Sequence, residues 1–316
     1  MHSITTNTNI TISYQDTGDK SAATIILIMG LGAQMTAWPD ELYYGLVNKG
    51  FRVIRFDNRD AGLSSQLEHL GKPSVIKSWL SKRASPFGKA PYLLDDMADD
   101  VLALMVALKV KKAHLVGASM GGMIAQLLAA KHNKKVLSLT SIMSGSTSAT
   151  LSTKTLSTML KLAKLKPRQS NKEAAIRYNI RLNQLIGSPA YPQDECILQL
   201  NATRYIERAH YPRGFQRQLA AIAATPNRQY LLRKIKAPTL VIHGSEDPII
   251  PLTAGTQTAL QIRNAKLKVV LGMGHDLPPA LMKKMTKWIA KHVNGAELKK
   301  LTKKRKKQQE AAFNKP

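Results

Sequence analysis

A serine in a glycine-rich pentapeptide is the residue of this sequence best suited to nucleophilic chemistry. The segment GASMG at 117–121 places Ser119 after an apolar, strand-like run and before an apolar, helix-like run. A tight strand-to-helix turn projects the serine hydroxyl from a sheet, and small residues two positions before and after it avoid clashes there. We therefore predict that Ser119 is a nucleophile. The alternative is a serine in an ordinary strand–helix turn.

A serine hydroxyl is a poor nucleophile at neutral pH and requires a base, for which two later loops supply candidates. His275 lies in GMGHDLP and Asp247 lies in HGSEDPIIP, and each loop follows an apolar, strand-like run. In the predicted arrangement, His275 Nε2 takes the proton of the Ser119 hydroxyl. Asp247 accepts a hydrogen bond from His275 Nδ1, which fixes the tautomer and stabilises the imidazolium.

Other polar residues could compete for these roles. Glu246 and Asp276 are alternative carboxylates, but Asp276 adjoins His275 on one loop and is poorly placed to orient it. We expect His243 to pack or cap locally. Cys196 lies in a helix-like segment with no partner histidine, and we interpret it as a small buried residue.

Acyl transfer also requires hydrogen-bond donors for the oxyanion that forms at the attacked carbonyl. The motif predicts one donor from the backbone N–H that follows the nucleophile, that of Met120. The second is predicted to be the Leu31 N–H, in the loop MGLGAQ at 29–34. The alternative is that Gly30 and Gly32 only turn the chain.

Alternating strand-like and helix-like segments predict the architecture that positions these loops. Helices are predicted at 93–110, 121–132 and 278–293. Seven apolar or alternating runs are predicted as strands: 10–16, 24–30, 51–57, 113–119, 136–143, 238–244 and 267–272. This alternation is typical of the α/β class, with a mostly parallel central sheet flanked by helices. The candidate residues would then meet where parallel strands end.

The alternation of strands and helices stops between residues 145 and 236, where three segments show helical spacing of apolar residues. We predict a helical cap insertion at 145–236 that interrupts one core, formed by residues 1–144 and 237–295. The remaining residues, 296–316, are predicted to be a basic, disordered tail.

The chain is strongly basic, with 47 Lys and Arg residues against 20 Asp and Glu residues and a formal net charge of +27. Such a charge could attract nucleic acid or an anionic membrane through the tail. The tail lacks aromatic interleaving and any recognised nucleic-acid motif, so we interpret it as a solvated segment.

Several classes of protein are disfavoured by the composition. The single cysteine excludes an internal disulfide framework and fits a reducing compartment. The segment MHSITTNTNI has neither the basic nor the apolar part of a secretory signal, and no apolar run approaches the roughly 20 residues of a membrane span. We therefore expect a cytoplasmic protein. No cofactor and no metal site is predicted.

Six segments, in order and spacing, resemble the α/β-hydrolase fold family: MGLG, FDNRDAGLS, DMADD, HLVGASMGG, HGSEDPIIP and GMGHDLP. The similarity covers residues 10–145 and 236–293. FDNRDAGLS at 56–64 resembles the serine-esterase branch that contains aclacinomycin methylesterase. The resemblance implies the triad order serine, aspartate, histidine, and a helical cap after the strand that follows the nucleophile helix. It speaks against dehalogenases and epoxide hydrolases, which have an aspartate at the position of Ser119.

Two positions depart from the pattern of the family. Many members have glycine where this chain has Asp60, and most carry His-Gly where it has Met29 and Gly30. The second departure removes a polar side chain beside the predicted oxyanion loop. We interpret Asp57, Arg59 and Asp60 as parts of a hydrogen-bonded loop that braces the site; the alternative is a second charged site.

These observations favour a carboxylic-ester hydrolase that acts through an acyl-enzyme on small or medium apolar esters. Met35, Trp38, Met143 and Met273 flank the motif loops and are predicted to line an adaptable substrate pocket. Alternatives on the same triad are cofactor-free perhydrolysis and cleavage of an amide, thioester or C–C bond. An alternative of another class is a non-catalytic protein that binds partners through its basic surface and tail.

Overall fold

An eight-stranded sheet forms the centre of the molecule in the computed structural model, which describes residues 1–80, 90–146, 157–158, 160–161, 164–165 and 171–313. Its strands are β1 His2–Thr5, β2 Thr11–Thr17, β3 Thr24–Ile28, β4 Arg52–Phe56, β5 Ala113–Ala118, β6 Val136–Ile142, β7 Thr239–Gly244 and β8 Lys266–Val270. Their spatial order is β1-β2-β4-β3-β5-β6-β7-β8. Strand β2 is antiparallel to β1 and β4, and the pairs from β4 to β8 are parallel. The predicted α/β class with a mostly parallel sheet is confirmed.

The seven predicted strands are all present, and β1 is the strand that the sequence analysis missed. Strand β1 is short and largely exposed, and it pairs with β2 at the edge of the sheet. An edge strand without a buried face has no alternating apolar pattern, so its sequence does not distinguish it from a loop.

Strand β3 shows why the central strands read as continuous apolar runs. All five of its residues are buried. Ile26 and Ile28 face one apolar cluster, whereas Ile25 and Leu27 face the other on the opposite side of the sheet. Because side chains alternate between faces, a strand covered by helices on both sides must be apolar at every position.

Helices cover both faces of this sheet. Helices α1 and α10 pack on one face, and α3 and α4 pack on the other. The bounds outside the inserted segment are α1 Asp40–Val47, α2 Val75–Leu80, α3 Leu94–Ala107, α4 Met120–Lys131, α9 Leu252–Gln261 and α10 Pro279–Phe313, with short 3-10 helices at Met35–Ala37 and Glu68–Leu70. None of the described helices has the length and apolarity that crossing a bilayer requires.

The described residues from 171 to 238, between β6 and β7, form four further helices, called the inserted helices below. They are α5 Lys172–Ile186, α6 Glu195–Arg208, α7 Pro212–Ala224 and α8 Gln229–Leu232. Within the described residues from 171 to 238, no strand is formed. This agrees with the helical spacing in the sequence; the division of the chain into a core and a cap stays a prediction.

Helix α10 extends beyond its expected end near residue 293. It continues to Phe313, so the structure is helical over most of the segment in which disorder is expected. Lys, Leu, Glu, Gln and Ala dominate this extension, and all five favour helix once an existing helix can propagate.

Candidate active site

Ser119 sits in a strained turn between β5 and α4. Its backbone has φ 54° and ψ −121°, a conformation that residues with a side chain rarely adopt. The flanking glycines make the turn sterically feasible. A Cβ at Gly117 would lie 2.3 Å from the Gly121 carbonyl oxygen, and a Cβ at Gly121 would lie 2.0 Å from the Ile28 carbonyl oxygen. The spacing in the pentapeptide therefore follows from backbone contacts on both sides of the serine.

The structure brings the three predicted triad residues together. Ser119 Oγ lies 2.9 Å from His275 Nε2, and His275 Nδ1 lies 2.8 Å from Asp247 Oδ2. The three residues follow β5, β7 and β8, so each reaches the same edge of the sheet from the carboxyl end of a parallel strand. This arrangement can transfer a proton from the hydroxyl to the imidazole and stabilise the resulting cation.

Asp247 is held as a buried carboxylate. Burial would raise its pKa, but the charge of His275 and hydrogen bonds from His275 and His243 outweigh that effect and lower the pKa to about 2. Its second oxygen, Oδ1, accepts the N–H groups of Ile249 at 2.9 Å and Ile250 at 2.8 Å. These bonds fix the carboxylate so that Oδ2 faces the imidazole.

The competing polar residues do not have this geometry. The Glu246 side chain is exposed. The buried ring of His243 lies 2.8 Å from the Ile250 carbonyl through Nε2 and packs against Gly255, where a Cβ would lie 2.3 Å from Nδ1. His243 thus packs locally, as expected, with its Nε2 3.5 Å from Asp247 Oδ2.

Asp276 ties the histidine loop to the inserted helices instead of orienting the imidazole. It accepts hydrogen bonds from the Ser188 hydroxyl and from Gln193 Nε2. Burial raises the pKa of this carboxyl. The backbone N–H of His275 donates to the carbonyl of Ile186, the last residue of α5, at 2.7 Å. The end of α5 and the chain that follows it therefore both hold the histidine loop in place.

The predicted oxyanion loop packs directly on Ser119. A Cβ at Gly30 would lie 3.1 Å from Ser119 Cβ, so the loop backbone lies close against the serine and a side chain there would be crowded. The Gly30 carbonyl accepts the Ala33 N–H at 3.3 Å. Because a trans peptide directs its C=O and N–H oppositely, the Leu31 N–H points away from this turn. The Met120 N–H is the first of helix α4, where no intrahelical acceptor exists.

A comparison with known protein families agrees with this geometry. The profile of the alpha/beta hydrolase fold family matches residues 23–278, which is most of the chain. The chain belongs to the α/β-hydrolase fold family.

Several named proteins are similar to this chain over most of its length. Rhodomycin D methylesterase DauP from a Streptomyces species is 27% identical over 92% of this chain and 97% of its own length. 2-Hydroxymuconate semialdehyde hydrolase from a Pseudomonas species is 27% identical over 79% of this chain and 80% of its own. The solved structure of an enol-lactonase from Burkholderia xenovorans superposes with a TM-score of 0.71 at 22% identity, covering 93% of this chain and all of that one. The resemblance to the methylesterase branch is therefore confirmed.

In this α/β hydrolase the inserted helices bind the predicted oxyanion loop at Gly32, a contact that was not predicted from the sequence. The fully buried side chain of Gln218 accepts the Gly32 N–H at 2.7 Å and donates to the Arg59 carbonyl at 2.7 Å. The Tyr205 hydroxyl donates to the Gly32 carbonyl. Burial and the charge of Asp57 raise the pKa of Tyr205 to about 12, which keeps the phenol protonated as a donor. Helices α6 and α7 thus bind both the backbone N–H and the backbone carbonyl of Gly32.

The charged residues of FDNRDAGLS form the bracing loop that the sequence predicts. Asp57 is fully buried, accepts the Met35 N–H at 2.7 Å and pairs with Arg208 Nη2 at 2.7 Å. Arg59 makes two hydrogen bonds to Asp100, at 2.6 and 2.8 Å. All of these charges are internally paired, which favours the bracing role over a second charged site.

Asp60 explains one departure from the family pattern. Its φ of 63° lies in the left-handed region that favours glycine, the residue that many members have here. The buried side chain receives two hydrogen bonds of 2.9 Å from Arg217 on α7 and one of 2.7 Å from the Tyr92 hydroxyl. Where many family members have a glycine, this chain therefore has an aspartate that forms an ion pair with the inserted helices.

The four residues predicted to line a pocket are all buried: Met35, Trp38, Met143 and Met273. Three of them belong to the apolar cluster that packs α1 and α10 on the sheet: Trp38, Met143 and Met273. Their role in substrate binding stays a prediction. Across the described part of the chain, no group of three or more His, Cys, Asp and Glu side chains is arranged to hold a metal ion.

The interpretation of Cys196 as a buried residue is wrong. Cys196 lies in the first turn of α6 with its side chain exposed. Helix α6 packs against α5 through Leu198 and Ala202, and Cys196 lies outside that stripe. The sequence pattern does not predict whether a small residue in the first turn of a helix faces the core or the solvent.

Proposed function

We propose that this α/β hydrolase is a carboxylic-ester hydrolase that forms an acyl-enzyme at Ser119. The observation that carries the proposal is the hydrogen-bonded line from Ser119 Oγ through His275 to Asp247. The similarity over nearly the whole chain to a protein named as a methylesterase supports ester cleavage as the reaction.

In the proposed first half-reaction, Ser119 Oγ attacks the ester carbonyl while His275 Nε2 accepts its proton. The Leu31 and Met120 N–H groups stabilise the oxyanion. The imidazolium then protonates the departing alcohol, and the acyl group remains on the serine. In the second half-reaction, His275 deprotonates a water that attacks the acyl-enzyme, and the carboxylic acid leaves with the serine regenerated.

The proposed substrates are small or medium apolar esters, including methyl esters of bulkier acids. The proposal of apolar substrates rests on the apolar residues that flank the motif loops in the sequence, which are Met35, Trp38, Met143 and Met273, and the inserted helices, as a cap, select among substrates. We further propose a cytoplasmic location, which agrees with a chain that contains one cysteine and no disulfide partner for it.

A panel of substrates tests the assignment of the reaction. Purified protein is expected to hydrolyse p-nitrophenyl acetate, butyrate and octanoate and a methyl ester of an aromatic acid, with saturation kinetics measured by nitrophenolate absorbance and by titration of released acid. The panel also includes p-nitroanilides and a vinylogous diketone, because one relative is named as a semialdehyde hydrolase. Turnover of the diketone or the anilides without turnover of any ester would overturn the esterase assignment.

A further inference from the structure

The structure describes five buried arginines, and they follow one rule with one exception. Four of these five are paired with a carboxylate at 2.6 to 2.9 Å: Arg52 with Asp16, Arg55 with Asp40, Arg59 with Asp100, and Arg217 with Asp60. Arg228, which is 3% exposed, has no carboxylate partner among the described residues. A buried guanidinium without a counter-charge is costly, so its presence calls for an explanation.

No described acid is placed to pair with Arg228. Among the described residues its side chain makes one hydrogen bond, from Nη2 to the Gly145 carbonyl at 3.0 Å, and its Nε has no hydrogen-bond partner there. Asp95 is the acid that acts on it electrostatically, and that carboxylate is already paired with Lys131. Burial accordingly lowers the pKa of Arg228 to about 10. The segments 81–89 and 147–170 contain no Asp or Glu in their sequence.

Arg228 lies close to the nucleophile through the loop that follows β6. The Ser144 hydroxyl donates to the Ser119 carbonyl at 2.8 Å, and the next residue, Gly145, accepts from the guanidinium. Since adjacent Cα atoms are 3.8 Å apart, these links place the guanidinium on the order of 10 Å from the serine. Ser146 is also buried, and its hydroxyl has no partner although its carbonyl accepts the Arg228 N–H at 3.1 Å.

We propose that Arg228, assisted by the Ser146 hydroxyl, binds an ionised carboxylate on the substrate, so that the preferred substrates are esters of acids that carry a second, free carboxylate. This inference rests on the proposed ester hydrolysis at Ser119. A guanidinium presents parallel N–H donors that match the two oxygens of a carboxylate, and such charge-assisted bonds are strong in a site shielded from water. The bound carboxylate supplies the counter-charge that the protein itself does not provide.

The rival explanation is that Arg228 only clamps the loop after β6 to the segment that precedes α8. A structural clamp would contribute equally to the turnover of charged and neutral substrates. An anion site would contribute to charged substrates alone. The ratio of two kcat/KM values therefore separates the explanations even when a variant is less stable.

The test compares mono-p-nitrophenyl suberate with methyl p-nitrophenyl suberate, which differ only in whether the distal carboxylate is free. For the wild type we expect a higher kcat/KM with the half ester. Arg228→Met is expected to lower the ratio of half ester to neutral diester by about 10- to 100-fold. Arg228→Lys keeps the positive charge but loses the parallel N–H donors of the guanidinium, so it should lower this ratio less than Arg228→Met does. Arg233→Met removes an exposed charge five residues along and should leave the ratio unchanged.

A ratio that is the same in wild type, Arg228→Lys and Arg228→Met would overturn the anion site. Binding of suberate, measured by calorimetry on Ser119→Ala protein, separates this failure from failure of the proposed function. If neither ester is hydrolysed but suberate binds and Arg228→Lys weakens that binding, the ester assignment fails while the anion site stands. If the neutral diester is hydrolysed but suberate does not bind, the anion site fails alone.

Discussion

Replacement of Ser119 by alanine is expected to lower kcat/KM for p-nitrophenyl esters by about 10⁴- to 10⁶-fold. The change removes the atom that forms the acyl-enzyme, and the remaining donors can only polarise the ester for attack by water. The fold should survive, because the change removes only the Oγ atom and the turn is fixed by the glycines around it. Initial rates on purified protein, with the thermal midpoint as a check on folding, measure the effect.

Two further variants serve as comparisons for Ser119→Ala. Ser21→Ala, in an exposed turn between β2 and β3, should retain wild-type activity. The double variant Ser119→Ala, His275→Ala should be hardly slower than Ser119→Ala, since residues of one triad act as a unit. A folded Ser119→Ala protein that keeps a tenth or more of the wild-type rate would contradict nucleophilic catalysis by this residue.

Replacement of Asp247 by asparagine is expected to lower kcat by about 10⁴-fold while the protein keeps its fold. Asparagine Oδ1 can still accept the N–H groups of Ile249 and Ile250, which hold the loop in place. Its amide, however, faces His275 Nδ1 as a donor. The imidazole must then carry its proton on Nε2, where it cannot accept the proton of Ser119. The loss arises from the wrong tautomer and not from a displaced side chain.

The neighbouring carboxylate provides the matched control for Asp247→Asn. Glu246→Gln makes the same chemical change one residue earlier, on an exposed side chain, and should change kcat by less than about threefold. Steady-state rates and circular dichroism of both variants are sufficient. Equal losses in the two variants, or a larger loss in Glu246→Gln, would show that the acid of the triad has been assigned to the wrong residue.

The central strands and the spatial meeting of Ser119, Asp247 and His275 could be predicted from the sequence because each depends on a local pattern. Strand β3 must be apolar on both faces, and Ser119 needs glycines on both sides to occupy its turn. Asp247 and His275 follow equally clear strands, and parallel strands end at one edge of a sheet. Local pattern and topology therefore suffice to place three residues that are far apart in the chain.

Contacts between the inserted helices and the core could not be predicted in this way. Gln218 reaches Gly32 across 186 residues, and Arg217 reaches Asp60 across 157. A polar residue beside the apolar stripe of an amphipathic helix has the same sequence pattern whether it faces solvent or a buried carbonyl. The unusual Asp60 at a position that favours glycine was the one local signal that a long-range partner was needed.

In the proposed mechanism one serine among many is activated by an imidazole that a carboxylate holds in place. Labelling of the native protein with a fluorophosphonate probe, followed by digestion and mass spectrometry, tests this most directly, because the probe reacts with activated serines. We expect one modified peptide that carries the adduct on Ser119, and loss of labelling in Asp247→Asn. An adduct on any other serine, or no adduct on a preparation that hydrolyses esters, would contradict it.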